Sequence, residues 1–271
     1  MDTFLNIVSL FLPTLNTIIM KFRILAFCLA AFIGNANAQL STPDTIRTGK
    51  GPLVIQPVEH ASVVFTVAGN VIYADPAGKK ELFKGLAAPD FILITDIHGD
   101  HFDSSAIATL KAAKTKLIVP QAVADKLPAS YKPSVIVLKN FGVTTQNGIT
   151  INAIPMYNLP ETPDSKHPKG RGNGYILTAG GTRIYLSGDT QGIPEMRSLR
   201  NISVAFVCMN LPYTMDVPEA ADAVLAFKPK IVYPYHYRGQ KGLSDVNAFK
   251  EKVNAGSKAI EVRLRDWYPK Q

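Results

Sequence analysis

The stretch Phe91-Ile92-Leu93-Ile94-Thr95-Asp96-Ile97-His98-Gly99-Asp100-His101-Phe102-Asp103 decides how this chain is read. Its first four residues, Phe91 to Ile94, are apolar without interruption, the form of a short strand buried on both faces. The strand delivers Thr95 and then a hexad dense in metal-ligand types, Asp96-Ile97-His98-Gly99-Asp100-His101. In a strand-end loop the alternation turns Asp96, His98 and Asp100 inward, while His101 comes round on a tight turn that Gly99 permits. Carboxylate and imidazole donors together suit zinc, manganese or iron. The plain alternative is a polar loop in which two histidines happen to fall close together. Two His and two Asp within six residues, between an apolar strand and a helix start, favour ligation.

Downstream, Asp103 or Ser104 caps a predicted helix reaching Ala113, and short apolar runs at Leu117–Val119 and Val135–Leu138 read as strands. Ile149 to Ile154 alternates and ends in Pro155-Met156-Tyr157-Asn158. Leu159 to Gly174 has no apolar periodicity and reads as a surface loop carrying His167, Lys169 and Arg171. A hairpin over Tyr175–Leu177 and Arg183–Leu186 runs into Ser187-Gly188-Asp189-Thr190, where an Asp alone would more often be a helix cap than a ligand. Pro218 opens a helix over Glu219–Phe227, and Lys230 to Tyr237 is a strand running out into His236. Ser244–Ala255 reads as a helix and Ala259–Leu264 as a strand. Upstream, a polar leader to about Gly51 precedes a hairpin of Val63–Val67 and Val71–Ala74, closed by Asp75-Pro76.

The hexad resembles the His-x-His-x-Asp-His signature of the metallo-beta-lactamase superfamily, with Asp96 in place of the first His. Ser187-Gly188-Asp189-Thr190 is similar to that superfamily's bridging-Asp motif, and His236 matches its last ligand in chain order. The resemblance spans roughly Leu53 to Arg265. It implies an α+β fold, a four-layer αββα sandwich of two mixed β-sheets flanked by helices, with metals at one edge. The implied ligands are Asp96, His98, Asp100, His101, Asp189 and His236, holding one or two divalent ions, zinc foremost, with manganese or iron as alternatives. The place of a further ligand His is held by Asn158, so either Asn158 or His167 completes the first site. His60-Ala61-Ser62 before a hairpin ending in Asp75-Pro76 resembles the branch that includes ascorbate-6-phosphate lactonase and N-acyl-phosphatidylethanolamine phospholipase D. His60 then either lines the site or serves as a structural hydrogen-bonding residue.

These ligand types lead us to expect a metal-bound hydroxide attacking an ester, lactone or phosphodiester bond, with Asp100 and Asp96 as proton acceptors. Lys169 and Arg171 are expected to offer cationic groups to an anionic small molecule, and Tyr213 and Tyr235 to wall the pocket. The competing reading is a binding or sensor protein whose degenerate first site holds little metal. A nuclease would draw on the positive charge, but no basic helix or aromatic-interleaved patch supports a nucleic-acid partner.

Composition agrees with an enzyme-sized globular domain: 46% of the 271 residues are hydrophobic, and 18% charged is too few for a disordered chain. Met20-Lys21-Phe22-Arg23, the apolar Ile24–Ile33 and Ala36-Asn37-Ala38 have the form of a cleaved export signal, with Met20 as the true start. The apolar stretch is too short to anchor a chain in a bilayer. Residues 1–38 are therefore assigned to the leader and 39–271 to one hydrolase domain, periplasmic or secreted. Removing Asp2, Lys21 and Arg23 with the leader lowers the formal charge of +8 by one. Cys28 leaves too, so Cys208 has no disulfide partner within the chain and reads as a core residue.

Overall fold

A computed structural model describes residues 40–162 and 164–268; the assigned leader lies outside the described residues. Two seven-stranded sheets repeat one plan. In the first, β1 (Asp44–Thr48), β2 (Gly51–Glu59), β3 (Ser62–Val67) and β4 (Asn70–Ala74) form an antiparallel meander. β5 (Phe91–Leu93), β6 (Lys116–Val119) and β7 (Val135–Val137) then add in parallel. In the second, β8 (Val143–Gln146), β9 (Ile149–Met156), β10 (Gly172–Ala179) and β11 (Thr182–Leu186) meander, and β12 (Val204–Cys208), β13 (Ile231–Tyr235) and β16 (Glu261–Val262) follow in parallel. Strands β14 (Arg238–Gly239) and β15 (Gly242–Leu243) form a small separate hairpin.

The period of two along each strand sorts side chains onto two faces. In and just beyond β5, Phe91 and Leu93 join the core between the sheets, whereas Ile92 and Ile94 face a second cluster under α1 (Ser104–Leu110) and α2 (Gln121–Ala124). Phe65 of the first sheet meets Phe206 of the second edge-on at 5.2 Å, and Phe206 stacks on Tyr233 at 5.0 Å. On the second sheet, α4 (Val217–Phe227) and α5 (Val246–Gly256) bury Ala220, Ala223, Val224, Phe227, Phe249 and Val253. A short helix, α3 (Pro194–Arg197), precedes them. Helix stacked on sheet, sheet on sheet, and sheet on helix give the expected four layers.

Differences from the expected elements lie where proline or a cap intervenes. The polar leader up to Gly51 contains β1, and β2 follows it; Pro52 and Pro57 disguised β2, whose pairing with β3 is irregular between Pro57 and Glu59. The predicted helix to Ala113 stops at Leu110, with Asp103 accepting from the Ser105 and Ala106 N–H groups. Gly99 does not need glycine's freedom: its φ is not left-handed and an added Cβ would meet nothing within 4 Å. The turn closes by ordinary bonds from the His101 and Phe102 N–H to the His98 carbonyl, at 3.0 and 2.8 Å. Gly188 is the demanding position, with φ +61° and a virtual Cβ 2.6 Å from Met156 Sδ and 3.2 Å from Thr95 Cβ.

Because β2, β4, β5, β9, β11 and β13 point the same way in their sheets, their C-terminal ends come to one edge. They deliver His60, Asp75, the Asp96–His101 loop, Asn158, Asp189 and His236 respectively. Gly188→Ala is expected to lower unfolding stability by about 1–3 kcal/mol through a strained φ and crowding at Thr95. Chemical denaturation checks the stability, and metal analysis of the folded variant checks that Asp189 has lost its placement.

Candidate metal centre

Six residues around Asp189 form two groups of donors. In one, Nε2 of His101 lies 3.4 Å from Asp189 Oδ2, and Nε2 of His236 lies 3.3 Å from Asp189 Oδ1. Asp100 approaches the same pair, with Oδ2 3.4 Å from His236 Nε2 and Oδ1 3.9 Å from His101 Nε2. In the other group, Asp96 Oδ2 lies 2.9 Å from His98 Nδ1 and 3.9 Å from His167 Nε2. His167 Nε2 is also 3.2 Å from Asp189 Oδ2, so one carboxylate touches both groups. Donor atoms of Asp96, His98 and His167, and those of His101, Asp189 and His236, each lie within 4.8 Å of one another.

These donors fit a divalent ion. His167 Nε2 and Asp189 Oδ1 are buried and meet Asp189 Oδ2 at 3.2 Å and His236 Nε2 at 3.3 Å, respectively, without a well-aligned hydrogen bond, a costly state that coordination would relieve. His101 and His236 also bring Nε2 atoms to 3.1 Å, a distance at which two lone pairs repel unless a proton or a cation lies between them. Imidazole and carboxylate together form the donor set of zinc, manganese and iron sites.

Outer partners fix the orientation of each imidazole. His101 is fully buried, and its Nδ1 lies 2.8 Å from Asp75 Oδ2, leaving Nε2 for the centre. Asp75 is held in turn by the Thr95 N–H at 2.7 Å and the Thr95 hydroxyl at 2.6 Å. Asn158 Oδ1 accepts from the His167 N–H at 2.9 Å and lies 3.1 Å from its Nδ1. His60 Nε2 lies 3.2 Å from Asp100 Oδ2, and its Nδ1 is 2.7 Å from the Tyr268 hydroxyl. His60, Asp75 and His236 all adopt left-handed φ values, 54°, 45° and 46°, a strain that clusters at functional sites.

Charge reinforces the assembly. Burial disfavours an imidazolium at His101, but the Asp189 and Asp75 carboxylates outweigh it and hold its pKa well above the usual histidine range. Burial likewise opposes ionised Asp189, yet His236 and His101 keep it far below the usual carboxylate range. Asp100 is lowered against its burial by hydrogen bonds to His236 and His60, and Asp96 by bonds to His98 and Arg171. All these carboxylates are therefore anionic donors at neutral pH.

Comparison with known proteins agrees with this geometry. Residues 54–236 match the family model described as Beta-lactamase superfamily domain. A UPF0173 metal-dependent hydrolase of Pyrococcus abyssi is 32% identical over 191 residues, 68% of this chain and 82% of the relative. The chain belongs to the metallo-beta-lactamase superfamily, among the UPF0173 metal-dependent hydrolases. The corresponding hydrolase of Pyrococcus horikoshii is 33% identical over 70% of this chain and 83% of its own. A Parabacteroides distasonis protein assigned as a metal-dependent hydrolase has a crystal structure that matches with TM-score 0.74 and 37% identity, over 83% of this chain and 98% of that one. The metallo-beta-lactamase fold protein YhfI of Bacillus subtilis, 14% identical with TM-score 0.60 over 76% of this chain and 88% of its own, shares the fold.

Asp96, His98, Asp100, His101, Asp189 and His236, the six family ligands expected from the sequence, all meet at this edge. Between the two candidates left open for the first position, His167 brings its ring into the group and Asn158 supports it from outside. Tyr213 lines a cavity of about 320 Å³ with His98, Asp100, Lys166, His167 and Asp189. Tyr235 does not wall that cavity: it is fully buried, and its hydroxyl accepts from the Gly188 N–H at 3.1 Å. Lys169 lies over Tyr157 with Nζ 3.2 Å from Glu195, and the Arg171 guanidinium grips Asp96, so neither cation is aimed at the mouth. Cys208 is a buried core thiol pushed up to about 11 by burial, which suits no nucleophilic role. Asp75 escaped selection from the sequence because Asp-Pro also ends strands for purely conformational reasons; its clearest mark is the left-handed φ.

Asp75→Ala removes the carboxylate that orients His101. It is expected to weaken metal affinity by about 10–100-fold while the remaining donors stay in place. Competition with a chelating indicator measures it; unchanged affinity would show that His101 is oriented by packing alone.

Proposed function

We propose that this metal-dependent hydrolase is an exported enzyme that cleaves an ester, lactone or phosphodiester bond of an anionic small molecule. The carrying observation is the Asp189 carboxylate shared between two donor groups at the foot of an open cavity. Ions held there would supply Lewis-acid polarisation and a nucleophile drawn from water near neutral pH. Each group offers two imidazoles beside carboxylate oxygen, a donor set that suits zinc and also admits a harder cation such as manganese or iron.

The chain's own groups divide the remaining work. Asp100 lines both the cavity at His98 and Tyr213 and a neighbouring one of about 310 Å³ beside His60, so it meets substrate and water from either side. Its lowered pKa keeps it ionised, so it accepts hydrogen bonds from water and substrate there, and as a weak base it orients a water more readily than it deprotonates one. His60 holds one Asp100 oxygen, which leaves the other to act. Because Arg171 and Lys169 have other partners, Lys166 at the cavity rim is the cation placed to receive an anionic group. Leu211, Tyr213 and Leu243 are exposed near this edge.

The branch that includes ascorbate-6-phosphate lactonase and N-acyl-phosphatidylethanolamine phospholipase D remains our reading of the finer relationship. Its support is the His60-Ala61-Ser62 and Asp75-Pro76 phrases: His60 reaches Asp100, and the Ser62 hydroxyl donates to the Asp75 carbonyl at 2.5 Å. Export rests on the leader sequence, and no helix among the described residues is long and apolar enough to cross a membrane. No feature of the site favours nucleic acid as substrate.

Purified protein assayed on phosphodiester, lactone and thioester panels, with anionic and neutral members of each, tests this reading. Chelation should abolish turnover and added metal restore it. His98→Ala, Asp100→Ala, His101→Ala and His236→Ala should each lose metal and about a hundredfold or more in rate, exceeding the loss typical of an outer-shell partner. Turnover that survives both chelation and all four substitutions would end the metallohydrolase reading, and equal rates on neutral and anionic members would end the anionic one.

A further inference from the structure

The two donor groups differ in one respect that their ligand types alone do not reveal. Arg171 Nε donates to Asp96 Oδ1 at 3.0 Å and Nη2 to Asp96 Oδ2 at 2.8 Å, a bidentate grip. The same Nη2 lies 3.4 Å from His98 Nε2 and donates to the Lys166 carbonyl at 2.6 Å. A fixed positive charge thus stands against two of the three residues of the Asp96–His98–His167 group. Among the described residues, no Lys or Arg forms an ion pair with Asp100 or Asp189 at the other group.

Charge counting gives this difference a consequence. An uncompensated buried carboxylate is costly to fold around and strongly attractive to a divalent cation. Paired with a guanidinium it is neutral, as an imidazole ligand would be, but the guanidinium repels a second cation and occupies directions from which the carboxylate would donate. We propose that Arg171 is a counter-charge that sets metal affinity at the first position, making it the loose one and leaving the Asp100–His101–Asp189–His236 position as the tight one. The inference rests on the metal-dependent reading above. It assigns Arg171 as a positioning and specificity residue of the centre rather than a substrate contact.

The sign of one measurement separates this role from a merely structural one. Metal-stripped full-length mature protein is titrated with Zn²⁺ and with Mn²⁺ against a competing chelator, and bound metal per chain is counted by elemental analysis. Wild type should bind one ion tightly and a second weakly. Arg171→Met should tighten the second ion by about tenfold to a hundredfold, the effect of deleting a neighbouring unit charge in a partly solvated site. Arg171→Lys, which keeps the charge, should leave the second ion loose and controls for folding. Asp96→His with Arg171 intact should weaken the second ion further, while Asp96→His combined with Arg171→Met should bind two Zn²⁺ tightly. If Arg171 only braces its loop through the Lys166 carbonyl, Arg171→Met will loosen the second ion instead, and the proposal falls. It also falls if wild type already binds two ions equally tightly. A protein that binds no metal in any variant would overturn both this proposal and the hydrolase reading, whereas a tight first ion with no response to Arg171 overturns this one alone.

Discussion

The buried imidazole of His101 between two carboxylates is the constraint on which the rest of the molecule depends. Asp75, at the end of β4, holds one ring nitrogen at 2.8 Å, and Asp189, at the end of β11, lies 3.4 Å from the other. The chain Asp75–His101–Asp189 therefore crosses from one sheet to the other. Charges this deep are tolerated only when every member is paired and bonded, because removing one partner leaves an uncompensated buried charge. The two sheets cannot slide against each other without breaking that chain. The apolar contacts behind it, such as Phe65 on Phe206, hold the same register from the core side. Packing and site chemistry impose the same alignment of the two sheets.

The repetition of the strand plan explains why the centre lies at a seam. Each half contributes a meander followed by parallel strands, and in each the second and fourth meander strands end at the same edge. The first half supplies His60, Asp75 and the hexad; the second supplies Asn158, Asp189 and His236. Neither half carries a complete donor set, so ligand pairing ties halves that are far apart in sequence. The left-handed φ values at His60, Asp75 and His236 belong to the same economy, since a strand that must end abruptly and turn its side chain into the edge uses a backbone region that most residues avoid.

Much of this was legible from local pattern. The Phe91–Ile94 run and the hexad are contiguous, so one strand and its ligands could be read together, whereas Asp189 and His236 stood out only through their resemblance to the superfamily's ligand order. The strand β2 was not legible, because Pro52 and Pro57 argue against a strand until the irregular pairing near Pro57 is seen to absorb one of them, and β1 was hidden in the polar run that pairs with it. The choice between Asn158 and His167 could not be made from sequence either. Nine positions separate them, and the loop between has no period from which its path could be predicted. Tyr235 was misplaced outward because an aromatic beside a ligand histidine reads as a pocket wall. Alternation along β13 buries it beneath Gly188 instead.

The departures from the superfamily pattern make sense as pairs rather than singly. Where Asn158 replaces an imidazole, His167 brings one back from the following loop, and Asn158 becomes the acceptor that orients it at 3.1 Å. Where Asp96 replaces another, Arg171 from the same loop supplies the charge that makes a buried carboxylate tolerable. Both compensations come from one segment between β9 and β10, which is anchored by the bond from the Asn158 N–H to the His167 carbonyl at 2.9 Å. The start of β10 is fixed on the hexad itself, since Asn173 N–H donates to the Thr95 carbonyl at 2.9 Å and a Cβ at Gly172 would stand 2.7 Å from that oxygen. A loop pinned at both ends beside the hexad can deliver an imidazole and a guanidinium to the first position with little freedom to miss. The first position thus joins Asp96 and His98 of the hexad to an imidazole and a counter-charge delivered by the loop, whereas the second draws all its donors from strand ends.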